Sequence, residues 1–311
     1  MILVTGGAGF IGSNFLHLLS KVTDEEIVVL DSLTYAANEH YIPSHCKFIW
    51  CDIRNEEHVN YLFNKYRPSK VFHFAAESHV DKSITNSNPF ISTNINGTIN
   101  LLNASLVVEV EKFHHISTDE VYGSLEYDDD KLFTEDTPYD PRNPYSATKA
   151  SAEHFVTSWH NTYGLPYLIT SSSNNYGAGQ HEEKLIPKVV KNALNDEITY
   201  MYDGGDQIRD WIHVDDHCTA IWTLEQQKVL NDKFNIGGGC ELKNIEVTKK
   251  ILDMLGKPHS LIGVSKDRPG QDKRYGTNFS KLTERTGWAP QIDFEMGLAG
   301  TVRFYIDKYS Q

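Results

Sequence analysis

The sequence is poor in cysteine: Cys46, Cys51, Cys218 and Cys240 are the four in 311 residues. No two form a Cys-x-x-Cys pair and none has the Cys/His spacing of a zinc site, so free thiols in a reducing compartment are expected. The 14 histidines include no His-Glu-x-x-His motif and no clustered carboxylate–histidine pair, so no metal site is expected. Basic residues are outnumbered by acidic ones, 29 against 42, for a formal net charge of −13. A duplex nucleic acid or an anionic membrane requires a basic footprint, so neither is an expected partner. A small phosphorylated ligand stays open, since a few placed arginines or helix N-termini suffice. No apolar run approaches the ~18 residues of a membrane span. Met1 runs straight into Ile2-Leu3-Val4-Thr5-Gly6-Gly7 with no room for a signal peptide, and a cytoplasmic protein is expected.

What is present is globular material, 40% hydrophobic and 23% charged, enough for one large domain or two modest ones sharing an interface. β-rich runs at 2–5, 26–30, 46–51, 70–74, 112–117 and 166–171 alternate with helical stretches near 11–20, 55–66, 87–109 and 145–163. That rhythm predicts an α/β fold, a Rossmann-type doubly wound parallel sheet with helices on both faces. Ile27-Val28-Val29-Leu30 is apolar throughout, as a strand covered on both faces requires. After Ser173 the rhythm breaks and glycine becomes denser, at Asp203-Gly204-Gly205 and Gly237-Gly238-Gly239. A smaller, partly interleaved C-terminal substrate domain is expected there, with Trp211–Val214 as a returning strand. The expected division is 1–173 with a return segment at about 208–236, against 174–207 and 237–311.

Gly6-Gly7-Ala8-Gly9-Phe10-Ile11-Gly12 follows a strand and opens a helix. Glycine at Gly6 permits a tight reversal, Gly9 lets the backbone approach a pyrophosphate, and Gly12 lets the helix pack close to the strand. A diphosphate then sits on the N–H groups of Phe10, Ile11 and Gly12 at the helix's positive end. Asp31 ends the second strand, 19 residues after Gly12, where a carboxylate accepts from the adenosine ribose hydroxyls. A 2′-phosphate would be repelled there, so NAD is expected rather than NADP. Ser32, Leu33 and Thr34 continue that edge. Asp52 and Ile53 close the third strand beside the expected adenine, and Ala75 and Ala76 close the fourth with side chains small enough for a cofactor to lie against.

Tyr145 and Lys149 lie four apart after Pro144 and share a helix face. A tyrosine ionises near pH 10, so work as a base near pH 7 requires roughly 4 kcal/mol of help. An adjacent ammonium and the positive charge of an oxidised nicotinamide can supply it. Read alone, such a pair is an ordinary helix surface; beside a dinucleotide motif it reads as chemistry. Ser117-Thr118-Asp119-Glu120 follows an apolar strand, at the carboxyl end where open α/β sheets bind ligands. Thr118 can donate to a substrate oxygen beside the phenol. Asp119 and Glu120 reach one substrate together only if the chain turns there; otherwise they are a capping pair that starts a helix. Paired carboxyls in different environments can divide acid and base roles.

These residues carry a resemblance. The chain resembles the extended short-chain dehydrogenase/reductase superfamily and, within it, the nucleotide-sugar 4,6-dehydratases of the dTDP-glucose group. The match runs nearly end to end: TGGAGFIG at 5–12, AAESHVD at 75–81, STDEVYG at 117–123, NPYSATKA at 143–150, SNNYG at 173–177, EKLIP at 183–187, QIRDW at 207–211, NIGG at 235–238 and DRPGQDKRY at 267–275. The glycine motif and the Tyr/Lys pair mark the superfamily, and the Asp-Glu pair after Thr118 marks the dehydratases. The resemblance implies a deoxysugar-forming lyase with NAD as a recycled cofactor and a nucleotide-diphosphate hexose as substrate. Tyr145 would take the proton of the hexose 4-hydroxyl while C4 gives up hydride. Glu120 would take the C5 proton, Asp119 would protonate the departing 6-hydroxyl, hydride would return to C6 and a proton to C5. Lys149 would support Tyr145. Ser78 and Thr118 would touch the sugar, Asn174, Lys184 and Leu185 its diphosphate side, and Arg209 and Arg268 the diphosphate itself. Tyr202, Asn235 and Tyr275 would line the nucleotide end, and His79, Thr93 and Asn175 the cofactor. A homodimer through helices near 87–109 and 145–163 is expected by the same analogy.

The chain departs from the family at Ser171, where arginine is usual, and at Ala178, Gly179, Glu182, Tyr200 and Gln271; the 35–46 segment is short. Tyr200 and Gln271 lie near the expected nucleotide pocket and leave thymine or uracil open. Two other readings stand beside the dehydratase: a 4-epimerase or decarboxylase of the same fold, which needs no acid at the 6-hydroxyl, and a non-catalytic dinucleotide sensor, which needs neither Tyr145 nor Lys149.

Overall fold

The structure is a computed structural model that describes residues 1–266 and 268–310. Asp267, which opens the DRPGQDKRY motif, and Gln311 lie outside the described residues.

Twelve strands are described: β1 (Ile2–Thr5), β2 (Ile27–Asp31), β3 (Lys47–Trp50), β4 (Lys70–His73), β5 (Lys112–Thr118), β6 (Tyr167–Ser172), β7 (Asn174–Tyr176), β8 (Thr199–Tyr202), β9 (Ile208–His213), β10 (Asp232–Ile236), β11 (Glu241–Lys243) and β12 (Ile262–Ser265). Seven form one parallel sheet in the order β10-β6-β5-β4-β1-β2-β3. Alternation along β1 and β2 decides which face each side chain covers. Ile2, Val4, Ile27 and Val29 pack with Phe15, Leu16 and Leu19 of the Phe10–Val22 helix and Ile221 and Leu224 of the Val214–Gln226 helix. Leu3, Val28 and Leu30 point the other way, into the Glu56–Tyr66, Thr98–Val108 and Pro144–Tyr163 helices through Leu62, Leu101 and Val156. Each such aliphatic side chain contributes about 1.5–3 kcal/mol when fully buried. The expected doubly wound sheet is therefore present, and the ends of its six expected strands agree with the expected runs to within one residue. The strand order reverses at β1, beside β4, and a cleft opens there at the carboxyl ends.

A second lobe is built from the β11-β9-β7 sheet, the β12-β8 pair and three helices, Leu185–Leu194, Asn244–Met254 and Phe294–Tyr309. Its core holds Tyr176, Val189, Trp211, Ile251, Leu298 and Tyr305. This corrects one expectation. The strand at Trp211 starts at Ile208 and joins this small sheet, whereas Asp232–Ile236 returns to the large one. Both runs suit a buried strand, and partners far away in sequence choose between them.

The expected 87–109 helix is interrupted. A short turn at Asn88–Phe90 leads into a π-helical turn at Ile91–Gly97, and only Thr98–Val108 is α-helical. The wide turn places Asn94 to clamp its surroundings. Its Oδ1 accepts from the Glu77 amide at 2.8 Å, and its Nδ2 donates to the Glu77 carbonyl and to Thr148 Oγ1, both at 3.0 Å. One buried side chain thus ties the segment after β4 to the helix that carries Tyr145 and Lys149. Wide turns of this kind recur at functional sites.

Ser171 sits beside a buried carboxylate whose cation comes from another strand. Glu153, fully buried, accepts from Ser117 Oγ and Tyr139 OH at 2.5 Å, and Lys233 Nζ from β10 stands 2.6 Å away. Ser171 Oγ adds a contact at 3.3 Å. A buried carboxylate needs a cation and donors, and here the next strand supplies the cation.

Candidate active site

The first wall of the cleft is the glycine turn. Gly6 has φ +73°, and a Cβ on it would stand 2.5 Å from the Ala75 nitrogen; a Cβ on Gly12 would stand 2.3 Å from the Gly6 carbonyl oxygen. The 6–12 segment can close this tightly only without side chains at those positions. No side chain caps the Phe10–Val22 helix, so its first amides, at Phe10, Ile11 and Gly12, meet the cleft as an anion seat. Asp31 is held by two backbone amides, Oδ2 by Ala8 at 2.9 Å and Oδ1 by Leu33 at 2.8 Å. Burial pushes its carboxyl up, and those amide bonds oppose the rise. Each oxygen keeps a lone pair for a ribose hydroxyl. Ser32 and Thr34 line the same wall, while Leu33 serves through its amide. Asp52 and Ile53 line it too, and Arg54 grips the Asp52 carboxylate in a fork and holds it below the usual range. Ala75, Ala76 and Thr93 complete this side. A helix start without a cap, a fixed carboxylate and walls of small residues fit a dinucleotide.

The second wall carries the reactive groups. β5 ends at Thr118, whose Oγ1 accepts from the Glu120 amide at 3.3 Å and so starts a 3₁₀ turn at Asp119–Tyr122. The chain turns at the required point, and the acidic pair forms the start of that turn and lines the cleft. Asp119 is 2% exposed. Burial drives its carboxyl well above the usual range, with the charges of Glu120 and Asp210 adding to the rise; the Thr277 hydroxyl opposes it. Glu120 Oε2 accepts from Ser146 Oγ at 3.2 Å. Asn143 caps the Tyr145 helix by accepting from the Ser146 amide at 2.9 Å, and Pro144 occupies the first turn. Tyr145 is buried, with its phenol bonded to Thr118; burial and then Glu120 push that phenol up.

Lys149 is anchored through its ammonium to β5. Its Nζ donates to the Ile116 carbonyl at 2.7 Å and lies 3.4 Å from His115 Nε2. Burial lowers it to about 8, opposed by Glu153. Among the described residues no hydrogen bond joins it to the Tyr145 phenol, and the ammonium is held by the strand below.

Ser78, Asn174, Asn175 and Lys184 line the cleft. Lys184 Nζ donates to the Ser78 carbonyl at 3.1 Å, and Asn175 Oδ1 faces His217 Nδ1 at 2.9 Å. His79 stands at the rim, its Nε2 3.3 Å from Glu183. Leu185 begins the next helix behind the wall. Other expected residues lie off the cleft. Asn235 is fully buried: Oδ1 accepts from Tyr122 OH at 2.7 Å and Nδ2 donates to the Phe133 carbonyl at 3.2 Å. These two bonds occupy one lone pair and one N–H of its amide and fix the side chain in the fold. Arg209, 5% exposed, donates to the carbonyls of Ile208 and Asp272 and lies 4.1 Å over the Tyr275 ring. Tyr275 is buried and donates to Asp272 at 2.5 Å. Arg268 and Tyr202 both meet Asp81, at 2.7 and 3.2 Å. Sequence reasoning missed Ser146 and Thr277, which hold the two carboxyls; Ser146 follows Tyr145 directly, but no local signal marks Thr277. Among the described residues no three His, Cys, Asp or Glu side chains are grouped to hold a metal ion.

The fold and cleft are those of a sugar-nucleotide-modifying short-chain dehydrogenase/reductase. The GDP-mannose 4,6 dehydratase family profile matches residues 3–301, and the chain belongs to that family. It is 44% identical to dTDP-glucose 4,6-dehydratase of Haemophilus influenzae, over 98% of this chain and 97% of that protein. It is 45% identical to the low-salt glycan biosynthesis protein Agl12 of Haloferax volcanii, over 98% of each. Among solved structures, DesIV, the dTDP-glucose 4,6-dehydratase of Streptomyces venezuelae crystallised with NAD and TYD bound, superposes with a TM-score of 0.95 at 40% identity, covering 99% of this chain and 98% of that one.

Proposed function

We propose that the chain is an NAD-dependent nucleotide-sugar 4,6-dehydratase, a hydro-lyase that converts dTDP-glucose or UDP-glucose to the 4-keto-6-deoxy sugar. The observation that carries this reading is the presence of Asp119, Glu120 and Tyr145 on one cleft with the glycine turn and Asp31. Bound NAD supplies oxidation at C4 and reduction at C6, so the net reaction is redox neutral.

The chain's own residues handle the protons. Tyr145 takes the proton of the 4-hydroxyl, and Thr118, bonded to the phenol, steadies the oxygen charge there. Glu120, held by Ser146, takes the C5 proton made acidic by the 4-ketone. Asp119 keeps its proton because it is buried beside another carboxylate, and gives it to the 6-hydroxyl. The C5–H and C6–O bonds break, a C5–C6 double bond forms, and water leaves; as C6 takes hydride back, C5 takes a proton back, and the double bond is consumed. An epimerase has no use for this buried acid, which favours the dehydratase.

In the same reading His79, Thr93 and Asn175 face the cofactor, Ser78 the sugar, Asn174, Lys184 and Leu185 its diphosphate side, Arg209 and Arg268 the diphosphate, and Tyr202 and Tyr275 the nucleotide end. A division into a cofactor-binding 1–173 with a return segment and a sugar-binding remainder is supported by β10 and the Val214–Gln226 helix, which pack with the large sheet; Ile208–His213, expected in that return segment, belongs to the small sheet. A cytoplasmic location is supported by the four free cysteines, three of them buried; among the described residues no helix is long and apolar enough to cross a membrane. A homodimer is supported by exposed Ile91, Val107 and Tyr163 on the expected pairing helices, and sedimentation tests it. The function is tested by incubating purified protein with dTDP-glucose and UDP-glucose separately, without added NAD. Mass spectrometry should show loss of one water; no loss from either sugar overturns the reading.

A further inference from the structure

Glu183 precedes the Leu185–Leu194 helix and is absent from the chemistry above, yet three separate parts of the chain converge on its carboxylate. Its Oε2 lies 3.3 Å from His79 Nε2, 3.7 Å from Lys82 Nζ and 3.6 Å from His181 Nδ1. Its Oε1 accepts from Tyr35 OH at 3.4 Å and lies 3.9 Å from Lys184 Nζ. Lys82 Nζ in turn sits 3.1 Å from the centre of the Tyr35 ring, and His181 meets that ring edge-on at 5.4 Å. Tyr35 belongs to the segment that follows Asp31. His79 and Lys82 belong to the segment that follows Ala75 and Ala76. Glu183 and His181 belong to the second lobe.

The position matters because Glu183 lines the same cleft as Gly9, Asp31 and Thr34, and its side chain is only 14% exposed. The carboxylate therefore ties the first lobe's cofactor-facing edge to the second lobe at the cleft rim. A single exposed ion pair does little, but a half-buried carboxylate with several donors acts as a network, which opens only when all of its members separate.

We propose that Glu183 is a cofactor-retaining latch, a positioning residue that slows NAD release by joining the two rims of the cleft without touching the reacting atoms. The proposal rests on the dehydratase reading, in which NAD ends each turnover in the form in which it began and gains nothing by leaving. An enzyme that exchanged NAD in every cycle would need an open rim.

The test measures NAD release with no sugar nucleotide present. Protein carrying NAD is diluted into ethanol and alcohol dehydrogenase, and reduction of released NAD is followed at 340 nm. Glu183→Gln should release NAD at least about tenfold faster than the parent protein. Tyr35→Phe, which removes one contact from a half-exposed ring, should release it faster by a smaller factor. In steady state Glu183→Gln should raise the KM for added NAD while kcat at saturating NAD changes less than about twofold. Release rates equal to the parent's in both variants, or a slow Glu183→Gln that excess NAD does not restore, overturn the latch. Fast release in the variants from a protein that leaves both sugars unchanged would uphold the latch and overturn the dehydratase reading alone.

Discussion

The Thr277 hydroxyl donates to Asp119 Oδ2 at 3.1 Å, across 158 residues of sequence. It is a contact that steadies the charged form of a carboxyl otherwise pushed well up by burial and by Glu120. Asp119 works as an acid, so its step fades as pH rises through its ionisation. Thr277→Val removes support for the carboxylate, raises that ionisation further, and should move the alkaline limb of the kcat profile to higher pH. Asp119→Asn should slow water loss by about 10²–10⁴ and C4 oxidation far less. A stopped-flow record of NADH beside mass spectrometry of product separates the two; equal slowing would make Asp119 a binding group.

Glu120→Gln should end exchange of the C5 proton with deuterated water, read by mass spectrometry of the sugar. The same change removes a negative charge that pushes the Tyr145 phenol up. Tyr145 acts as a base above its ionisation, so the acid limb of the oxidation half-reaction should move to lower pH. Persistent C5 exchange, or an unmoved limb, would place Glu120 away from these roles.

Lys149, lowered to about 8 by burial, is charged at neutral pH and loses its proton above it. If its charge holds NAD, affinity should fall about tenfold by pH 9, one proton's worth of linkage. Lys149→Met should bind NAD weakly and without that slope. Titration of NAD by fluorescence quenching between pH 7 and 9 measures both.

Lys233→Met leaves the fully buried Glu153 without its cation. The variant should lose about 3–5 kcal/mol of stability in denaturant unfolding. Adding Glu153→Gln should recover a large part, because the uncompensated charge is gone. A loss below about 1 kcal/mol, the scale of an exposed pair, would mean that Glu153 has other compensation.

The parts of this molecule that sequence reveals are those where neighbours in the chain do the work. The glycine turn, Asp31 and the Tyr145–Lys149 helix face all depend on local geometry, as does the alternation of Leu3 with Ile2 and Val4. What sequence withholds depends on distant partners. Nothing beside Lys149 shows that its ammonium will choose the Ile116 carbonyl. Nothing beside Asn235 shows that Tyr122 and Phe133 will bond its amide. The interrupted 87–109 helix is hidden for the same reason: Asn94 is drawn to Glu77 and Thr148, and the apolar period alone does not report that pull.

The salt link between Glu153 and Lys233 also bears on how the polypeptide can be divided. The anion sits one helical turn beyond Lys149, in the first half of the molecule, whereas its counterion arrives 80 residues later on the edge strand of the large sheet. A fragment truncated after Ser173 would keep the entire glycine turn and the hydroxyls of Ser117, Tyr139 and Ser171, yet lose the lysine paired with Glu153. Such a fragment should be less stable than the whole, and during synthesis Glu153 gains this counterion only once β10 has been made.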